Sequence, residues 1–393
     1  MIHELIKFKG MPLANTLLNG VDDDVACYDL TVGFDDETKL VQLIDNVSPE
    51  QLFPDDYVYD SSQSNTMVTH FKQGATVLKE RFNPTTTLEI GSNSGIFIQH
   101  FSSSTTVAVE PCSNFASLTN KMGYKTYDEF WGMDLSKNIR DSHGQMDLIF
   151  SANAVSHIQN LDECFQSVRH CLSDEGVFIV ECPSFLEVLK ENAFDQFYHE
   201  HQSYFSSISF SNLLQKNGLK LFDLEMHPVH GGSYRYFVCK DTATHAINEK
   251  ALQQYKTEEQ QFGADSYEKL LQRIQVMKHN MAEIKKTLTQ LKRDGNVIIG
   301  YGASAKFIQV SNMCELDATV IDYVLDTTPF KQNKYTPKSK IKIVPYDSAL
   351  LAKADYCFLG AWNFRDEIIN KEQSFIAQGG KFVTHIPAVE IIE

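Results

Sequence analysis

A short segment of the chain, Tyr198-His199-Glu200-His201, concentrates side chains suited to proton transfer. It follows a predicted strand that ends at Glu181, and open α/β sheets bind ligands at the carboxyl ends of their strands. The segment is typical of an acid–base site, in which one histidine accepts a proton, Glu200 orients that histidine and Tyr198 donates to an oxyanion. A metal site is disfavoured because the two histidines are not in a His-Glu-x-x-His arrangement. A polar surface helix is the non-functional alternative.

A glycine-containing turn, Glu89-Ile90-Gly91-Ser92-Asn93-Ser94-Gly95, is the second feature that could do chemistry. It follows a short apolar strand, and the apolar residues 96–98 predict that a helix begins after it. The next strand ends at Glu110, 15 residues past Gly95. Glycines let the backbone approach a ligand closely, and a carboxylate at a strand end can accept both ribose hydroxyls. This layout suits a cofactor that contains adenosine.

The acid inside the strand, Glu89, helps to choose between adenosine cofactors. A nicotinamide fingerprint reads Gly-x-Gly-x-x-Gly and leaves room for a pyrophosphate. A carboxylate at Glu89 suits a cationic or amino-bearing ligand instead, because it would repel a diphosphate. The turn resembles the first motif of class I S-adenosylmethionine-dependent methyltransferases. A tight strand–helix turn without any ligand is the alternative that the pattern leaves open.

The composition restricts the possible partners. The 393 residues carry a net charge of −16, which argues against nucleic acid or an anionic membrane as the main partner. No run approaches the roughly 20 apolar residues that cross a bilayer, and charges interrupt the first ten residues, unlike a signal peptide. The eight cysteines include no CxxC pair, so most are expected to be reduced and buried. We expect a soluble cytoplasmic protein of unspecified oligomeric state.

The chain is predicted to have four parts, whose helices and strands must position the residues described above. Residues 1–64 form a small N-terminal module, irregular and rich in loops to about residue 55. Residues 65–244 form the cofactor-binding domain, in which a helix over 65–82 precedes alternating strands and helices, the pattern of a doubly wound α/β sheet. Its strands are predicted at Thr87–Ile90, Thr106–Glu110, Asp147–Ala152, Val177–Glu181 and Tyr234–Val238.

The remaining two parts are a helical linker and a second α/β domain. In residues 245–294, apolar residues recur every three or four positions from Tyr267 to Leu291, which predicts a long amphipathic helix packed between domains. Residues 295–393 are predicted to form a Rossmann-like domain. Its strands are expected after residue 296 and at Val320–Leu325, Tyr356–Gly360 and Phe382–Ile386.

The C-terminal domain contains a competing fingerprint, Gly300-x-Gly302-x-x-Ala305 followed by Asp326. This pattern fits a dinucleotide site and supports an alternative function, a nicotinamide-dependent oxidoreductase. However, only 67 residues follow Asp326, too few to complete the fold and to add a dehydrogenase catalytic domain. The turn could instead hold a phosphate-bearing substrate, with Lys306 as a point charge.

Seven motifs in order extend over nearly the whole chain from about residue 50, and together they closely resemble the deoxysugar C-methyltransferase family. That family methylates carbon 3 of nucleotide-linked 4-keto sugars. The motifs are Tyr57-x-Tyr59-x-Ser61-Ser62-x-Ser64, Glu89-Ile90-Gly91-Ser92-Asn93, Tyr198-His199-Glu200-His201-x-x-Tyr204-Phe205-Ser206, His230-Gly231-Gly232-Ser233, Gly300-Tyr301-Gly302-Ala303-x-Ala305-Lys306, Asp326-x-x-Pro329-x-Lys331-x-x-x-Tyr335-Thr336-Pro337 and Ala361-Trp362-Asn363-Phe364.

The resemblance implies roles for individual residues. His201 matches the family's base, with Tyr198, Glu200 and His157 beside it. S-adenosylmethionine is expected to contact Glu89, Gly91, Ser92, Asn93, Gly95, Glu110, Pro111 and Asn153. A nucleotide-sugar substrate is expected to contact Tyr57, Tyr59, Ser61, His230, Gly231, Gly232, Ser304 and Lys306.

The chain also departs from the family pattern. The family usually begins with a zinc-binding module built on paired cysteines, whereas this N-terminus has only Cys27, so we expect no metal. Ser94 stands where an acid is usual, and His199 stands where small or acidic residues are common. A binding protein that lost its activity together with its metal module is the non-enzymatic alternative.

Overall fold

The computed structural model describes residues 1–393, which form three β-sheets and their connecting helices. The N-terminal part is a sheet and not the irregular segment expected from the sequence. Its antiparallel strands are β1 (Ile2–Pro12), β2 (Cys27–Asp35) and β3 (Val41–Leu43). The pairing of β1 with β2 shifts register twice, and such bulges break the two-residue alternation that would have revealed the strands.

The central part of the chain forms a seven-stranded sheet flanked by helices. Its elements, in chain order, are α1 (Pro49–Leu52), α2 (Asn65–Phe82), β4 (Thr87–Ile90), β5 (Thr106–Val109), α3 (Ser113–Lys121), β6 (Lys125–Tyr127), α4 (Met133–His143), β7 (Met146–Ala152), α5 (Leu161–Cys171), β8 (Leu172–Pro183), α6 (Phe185–Lys190), β9 (Ser203–Tyr204), α7 (Ser207–Lys216), β10 (Leu219–His227) and β11 (Ser233–Lys240). All of these strands except β9 belong to this sheet.

The strand order β10-β11-β8-β7-β4-β5-β6 confirms the predicted class I methyltransferase sheet. Strands β4 to β8 pair in parallel within it, whereas β10 and β11 form an antiparallel end. The order reverses between β4 and β7, and ligands bind at such switch points in open α/β sheets. The turn after β4 and the end of β7 therefore face the same crevice.

The prediction that a helix begins directly after the glycine turn is wrong. Only a one-turn 3₁₀ segment, Ile98–His100, follows it. Ile96, Phe97 and Ile98 are all buried, and the Phe97 ring stacks on Phe150 with centroids 3.6 Å apart. Three consecutive residues packed into the core cannot share one face of an α-helix, so the apolar run reflects packing rather than helical periodicity.

The N-terminal sheet includes part of the segment predicted to do chemistry. Strand β9 is its fourth strand, with Val41 opposite Tyr204 and Gln42 opposite Ser203. The pairing continues one residue further, because the amide of Leu43 donates to the carbonyl of Gln202 at 2.9 Å. The N-terminal sheet thus includes a strand from the central part of the chain, which begins two residues after His201.

The last part of the chain is a helical connection and a second α/β sheet. Its elements are α8 (Glu249–Phe262), α9 (Tyr267–Arg293), β12 (Ile298–Tyr301), α10 (Ala305–Met313), β13 (Val324–Asp326), β14 (Ile343–Pro345), α11 (Ser348–Leu351), β15 (Tyr356–Leu359), α12 (Arg365–Lys371), α13 (Gln373–Ala377), β16 (Lys381–Thr384) and β17 (Glu390–Ile392). The sheet order is β14-β13-β12-β15-β16-β17. The strand expected from Val320 begins only at Val324.

The apolar stripe of α9 packs between the N-terminal sheet and the C-terminal domain. Leu270, Ile274 and Met277 share one hydrophobic core with Leu30 and Phe34 of β2, with α6, and with the C-terminal sheet. That core therefore joins elements from both ends of the chain. No helix of the chain is long and apolar enough to span a membrane.

Candidate active site

A cavity of about 340 Å³ opens at the switch point of the central sheet. Its walls combine aromatic side chains, among them Phe53, Phe71 and Trp131, with polar groups at the ends of β4, β5 and β7. Seven of the eight predicted cofactor residues line it, namely Glu89, Gly91, Ser92, Asn93, Glu110, Pro111 and Asn153. Phe53 and Trp131 were not singled out from the sequence, where nothing local distinguishes them from core aromatics.

The glycine turn is shaped by contacts with neighbouring strand ends. Gly91 has φ +75°, and a Cβ added there would lie 2.5 Å from the Cβ of Ala154 beyond β7. The next left-handed residue, Asn93, donates its backbone N–H to Oε2 of Glu110 at 2.6 Å. Oε1 of Glu110 accepts from the amide of Cys112 at 3.0 Å. The carboxylate of Glu110 is therefore held at the cavity wall by two backbone donors.

Gly95 does not line the cavity, contrary to its assignment as a cofactor residue. It has φ +78°, and an added Cβ would meet Cγ2 of Thr119 on α3 at 3.0 Å. Its small size permits the turn to pack against that helix. The two glycines of the turn thus differ in role, because Gly91 lines the cavity and Gly95 permits packing against α3.

Several buried polar atoms of the cavity have no partner within the protein. The atoms without a hydrogen-bond partner include Oε2 of Glu89, Oγ of Ser92 and Nε2 of His157. Burial, and secondarily the charge of Glu110, raises the pKa of Glu89 well above its usual range. A bound cation would reverse that penalty, and unpaired buried polar groups are rare without a ligand or water to satisfy them. The residues therefore fit an amino-bearing adenosine cofactor such as S-adenosylmethionine.

The segment from Tyr57 to Ser61 covers the glycine turn. The backbone N–H and the hydroxyl of Ser61 donate to Oδ1 of Asn93 at 3.0 and 2.9 Å, and Nδ2 of Asn93 donates to the carbonyl of Tyr59 at 2.8 Å. Tyr57, Tyr59 and Ser61 all line the cofactor cavity. Their proposed substrate contacts would thus be made beside the cofactor, and the Ser61 hydroxyl is already engaged.

His201 is held in one tautomer. Its Nδ1 lies 3.0 Å from the carbonyl oxygen of Gln196, which can only accept, so Nδ1 carries the proton. Its Nε2 is then the acceptor for the Tyr198 hydroxyl at 2.6 Å. Burial, together with neighbouring His157 and Lys306, holds the pKa of His201 well below its usual range. The ring is therefore neutral, with a basic nitrogen directed at Tyr198.

A stack of aromatic rings extends from His201 to the cavity. The His157 ring lies on His201 with centroids 5.4 Å apart and on Phe53 with centroids 5.3 Å apart. Burial lowers the pKa of His157 to about 4, so it is uncharged at neutral pH. His157 and Phe53 both line the cavity, which brings the predicted base next to the predicted cofactor site.

Glu200 does not orient His201, and that expectation is wrong. Its Oε2 accepts from the Tyr57 hydroxyl and its Oε1 accepts from Nδ2 of Asn15, both at 2.7 Å. The orienting group for His201 is instead the carbonyl of Gln196. Asn15 has no sequence signal, because it lies in the connection between β1 and β2 and meets Glu200 only through the fold.

We expect Glu200 to make stability depend on pH. Burial raises its pKa from 4.5 to about 7, so the fold favours the protonated carboxyl. The native state then binds more protons than the unfolded state, and this contribution to stability falls as pH rises through that window, by up to about 3 kcal/mol. The unfolding free energy of wild type minus that of Glu200→Gln should therefore decrease between pH 4.5 and pH 7.

Denaturant titrations at several pH values measure this difference. Glu283→Gln, which removes a partly exposed glutamate of α9, is the reference for losing one carboxylate. The raised pKa would be contradicted if the difference in unfolding free energy between wild type and Glu200→Gln stayed constant or rose with pH.

The C-terminal domain contributes the Lys306 cation and the first turn of α10 to the region around His201. Ser304 caps the N-terminus of α10 by accepting from the amide of Phe307, and Lys306 lies in the first turn. Burial lowers the pKa of Lys306, and the Asp195 carboxylate that opposes this shift is already bonded to other groups. The positive charge of Lys306 in turn lowers the pKa of His201 and of His230. The ammonium of Lys306 is therefore available to an anionic ligand group near His201.

The turn from His230 to Gly232 has three consecutive left-handed residues. Added Cβ atoms would lie 2.8 Å from the Trp362 ring at Gly231 and 2.6 Å from Cγ of Glu187 at Gly232. These glycines thus permit close packing, whereas Nε2 of His230 is buried without a partner. Within this turn, His230 is therefore the residue whose side chain has a polar atom available to a ligand.

The glycine and the acid of the C-terminal dinucleotide fingerprint make contacts within the protein. Oδ2 of Asp326 accepts from the amide of Ala303 at 2.8 Å, and Oδ1 accepts from the amide of Thr328 at 2.7 Å. A Cβ at Gly300 would lie 2.5 Å from the ring of Phe307. The glycine and the acid that suggested a nicotinamide site therefore support the packing of α10 and the loop after β13.

His199, the other histidine of the segment, bonds to the N-terminal sheet. Its Nε2 lies 3.2 Å from the carbonyl of Asp29 on β2, to which it donates. His199 and His201 thus contact different parts of the fold. No group of three or more His, Cys, Asp or Glu side chains is arranged to bind a metal ion.

Comparisons with known proteins agree on the type of chemistry. The family described as "Methyltransferase domain" matches residues 69–224, and the family described as "C-methyltransferase C-terminal domain" matches residues 228–387. The chain is 30% identical to the C-methyltransferase NovU from Streptomyces niveus over 396 aligned positions, which cover 99% of this chain and 94% of NovU.

Solved structures resemble part of the chain. One is an S-adenosylmethionine-dependent methyltransferase from Clostridium acetobutylicum ATCC 824, with 15% identity, a TM-score of 0.35, and coverage of 44% of this chain and 92% of that chain. Another is a possible histamine N-methyltransferase from Thermotoga maritima, with 16% identity, a TM-score of 0.33, and coverage of 44% of this chain and 92% of that chain.

Proposed function

Because this chain belongs to the C-methyltransferase family, we propose that it methylates the carbon next to the ketone of a nucleotide-linked keto deoxysugar. The chain is an S-adenosylmethionine-dependent methyltransferase, as the family identifies it. The observation that carries the proposal is the neutral, single-tautomer His201 with its Nε2 bonded to Tyr198. Methylation at carbon requires removal of a C–H proton, and this pair contains both a base and a hydroxyl donor.

The cofactor supplies an electrophilic methyl group when bound. Glu89 would hold its amino group, since that carboxylate has a buried oxygen without a partner. Glu110 would accept from its ribose hydroxyls, because each carboxylate oxygen keeps a second lone pair beside the backbone N–H that it already accepts. Phe53, Trp131 and the other aromatic side chains make much of the remaining cavity wall apolar.

Ketone binding and proton removal are coupled through Tyr198. The Tyr198 hydroxyl donates its hydrogen bond to the Nε2 lone pair of His201. A ketone oxygen that takes this hydroxyl as its donor leaves Nε2 free to accept the proton of the adjacent carbon. The C–H electron pair then becomes the C=C bond of the enolate, and the negative charge develops on the oxygen that Tyr198 contacts. The nucleophilic carbon would then form its new bond to the methyl group while the bond from that group to the sulfonium sulfur breaks and leaves its electron pair on the sulfur.

The substrate class is inferred from charge. Lys306 is a cation in the first turn of α10, close enough to His201 to lower its pKa, and it suits an anionic group such as the phosphate of a nucleotide sugar. The oxidoreductase alternative has no support from the comparisons, because the family is a methyltransferase family. The family also argues against a non-catalytic binding protein.

A screen with labelled methyl donor tests the proposal. The purified protein is incubated with several nucleotide-linked 4-keto sugars, and with the same sugars reduced at that position as matched controls. We expect label on carbon only with the keto sugars, and exchange of the adjacent C–H with deuterium from the solvent. Labelling of an oxygen or a nitrogen, or equal labelling of the reduced sugars, would overturn the proposal.

A further inference from the structure

Trp362 of the C-terminal domain contacts the segment that contains the base. It lies in a 3₁₀ turn just after β15, and its Nε1–H donates to Oδ2 of Asp195 at 2.7 Å. The Asp195 side chain is completely buried. A second donor from the same domain reaches the same oxygen, because Nε2 of the fully buried His385 lies 3.1 Å from it. Both donors to this carboxylate come from beyond residue 360.

Asp195 directly precedes the residue that sets the tautomer of His201. The two residues belong to one 3₁₀ turn, Phe194–Gln196. The carbonyl of Gln196 accepts from Nδ1 of His201 at 3.0 Å and from the hydroxyl of Tyr204 at 3.3 Å. The orientation of that carbonyl depends on the backbone of the turn. The two hydrogen bonds from Trp362 and His385 to Asp195 anchor this turn to the C-terminal domain.

The Trp362 ring also packs against a second part of the site. A Cβ added at Gly231 would lie 2.8 Å from Cη2 of Trp362, so the ring lies directly on this backbone. Gly231 follows His230, whose Nε2 is buried without a partner. Trp362 therefore contacts both the turn that precedes the base and the turn that contains His230. A cavity of about 470 Å³ borders this contact and is lined by His230, Gly231, Trp362 and Arg365.

We propose that Trp362 and His385 are positioning residues for the methyl-transfer reaction, acting through Asp195 to hold the Gln196 carbonyl against Nδ1 of His201. The proposal rests on the proposed function in that His201 is taken as the base. With the anchor intact, Nδ1 keeps its proton and Nε2 stays basic. Without it, the turn can shift, and the imidazole is free to move its proton to Nε2, the form that cannot accept a proton at that nitrogen.

Trp362→Phe is the central variant, because it removes the N–H donor and keeps an aromatic ring. It also loses the outer ring carbons that lie on Gly231, so it is paired with His385→Leu, which removes the second donor and leaves the Trp362 ring in place. Nitrogen-15 NMR of histidine-labelled protein reads the His201 tautomer without any substrate, with the His201 signal assigned by its loss in His201→Asn. We expect wild type to show one tautomer protonated at Nδ1, and Trp362→Phe to show a mixture. We also expect kcat to fall about 10- to 100-fold, the range for a small misplacement of a reacting group, with unchanged affinity for S-adenosylhomocysteine.

Three further variants make the test specific. Tyr323→Phe removes a hydroxyl that donates to the carbonyl of Leu350 in the same domain, and it should keep the wild-type tautomer and kcat. His385→Leu removes the second donor and should resemble Trp362→Phe, whereas His385→Gln keeps an N–H donor and should restore much of kcat.

A single Nδ1-protonated His201 in both Trp362→Phe and His385→Leu would overturn this proposal, as would a native kcat in both. Failure of every keto sugar as a substrate would overturn the proposed function instead, and it would leave the NMR result as it stands. The two proposals can therefore fail independently.

Discussion

Replacing His201 with asparagine is expected to reduce methyl transfer by about 100- to 10,000-fold, the contribution of a positioned general base, and to leave cofactor affinity nearly unchanged. The reason is the geometry of the ring, in which the Gln196 carbonyl holds the Nδ1 proton and Nε2 is left as the basic atom. An asparagine side chain is shorter and has no basic nitrogen. The cavity residues Glu89, Gly91 and Glu110 come from other segments and should bind the cofactor as before.

Three measurements test this expectation. Methyl transfer is measured with labelled donor, proton removal by solvent deuterium exchange at the carbon next to the ketone, and cofactor binding by calorimetry with S-adenosylhomocysteine. The matched control is His245→Asn, since His245 also bonds a backbone carbonyl, that of Glu175 at 2.9 Å, but lies outside the site. If His201→Asn exchanged the substrate proton at the native rate, His201 would not be the base.

Replacing Glu110 with glutamine is expected to weaken S-adenosylhomocysteine binding about 100-fold, because two hydrogen bonds from ribose hydroxyls to a carboxylate contribute about 3 kcal/mol together. The variant also disturbs the glycine turn. Glutamine has a single acceptor oxygen, whereas the carboxylate accepts from the amide of Asn93 with one oxygen and from the amide of Cys112 with the other. An NH₂ group facing one of these amides would push the turn away from the cavity.

Calorimetric titration measures the loss, and thermal unfolding checks that the variant is folded. Glu175→Gln is the matched control, because the Glu175 carboxylate likewise accepts from a backbone amide, that of Thr244, at a site far from the cavity. An affinity of Glu110→Gln within twofold of wild type would show that Glu110 does not contact the ribose.

The sequence motifs identified the family, and most of the residues assigned to the cofactor line one cavity, because both results depend on local patterns. An apolar strand, a glycine turn and an acid at the next strand end are contiguous features, and seven of the eight residues assigned from them line the cavity. The exception, Gly95, shares the spacing but supports packing against Thr119. The ordered motifs also predicted the C-methyltransferase family that the comparisons confirm.

Predictions failed where a local pattern had two physical causes. The apolar run Ile96–Ile98 packs into the core without forming a helix, and the bulged strands β1 and β2 hide a sheet behind an irregular pattern. In each case the residue types were recorded correctly, but their neighbours in space decided their role.

The sequence by itself determined which side chains were available for chemistry: imidazoles, a tyrosine hydroxyl, carboxylates and a lysine ammonium. Only the tertiary structure decided how these groups are connected. Glu200 bonds to Tyr57 and Asn15 and not to the adjacent His201, and the tautomer of His201 depends on a backbone carbonyl, which no side-chain motif can report. Hydrogen bonds require distances near 3 Å and defined angles, and the fold sets these between segments that lie far apart in the chain.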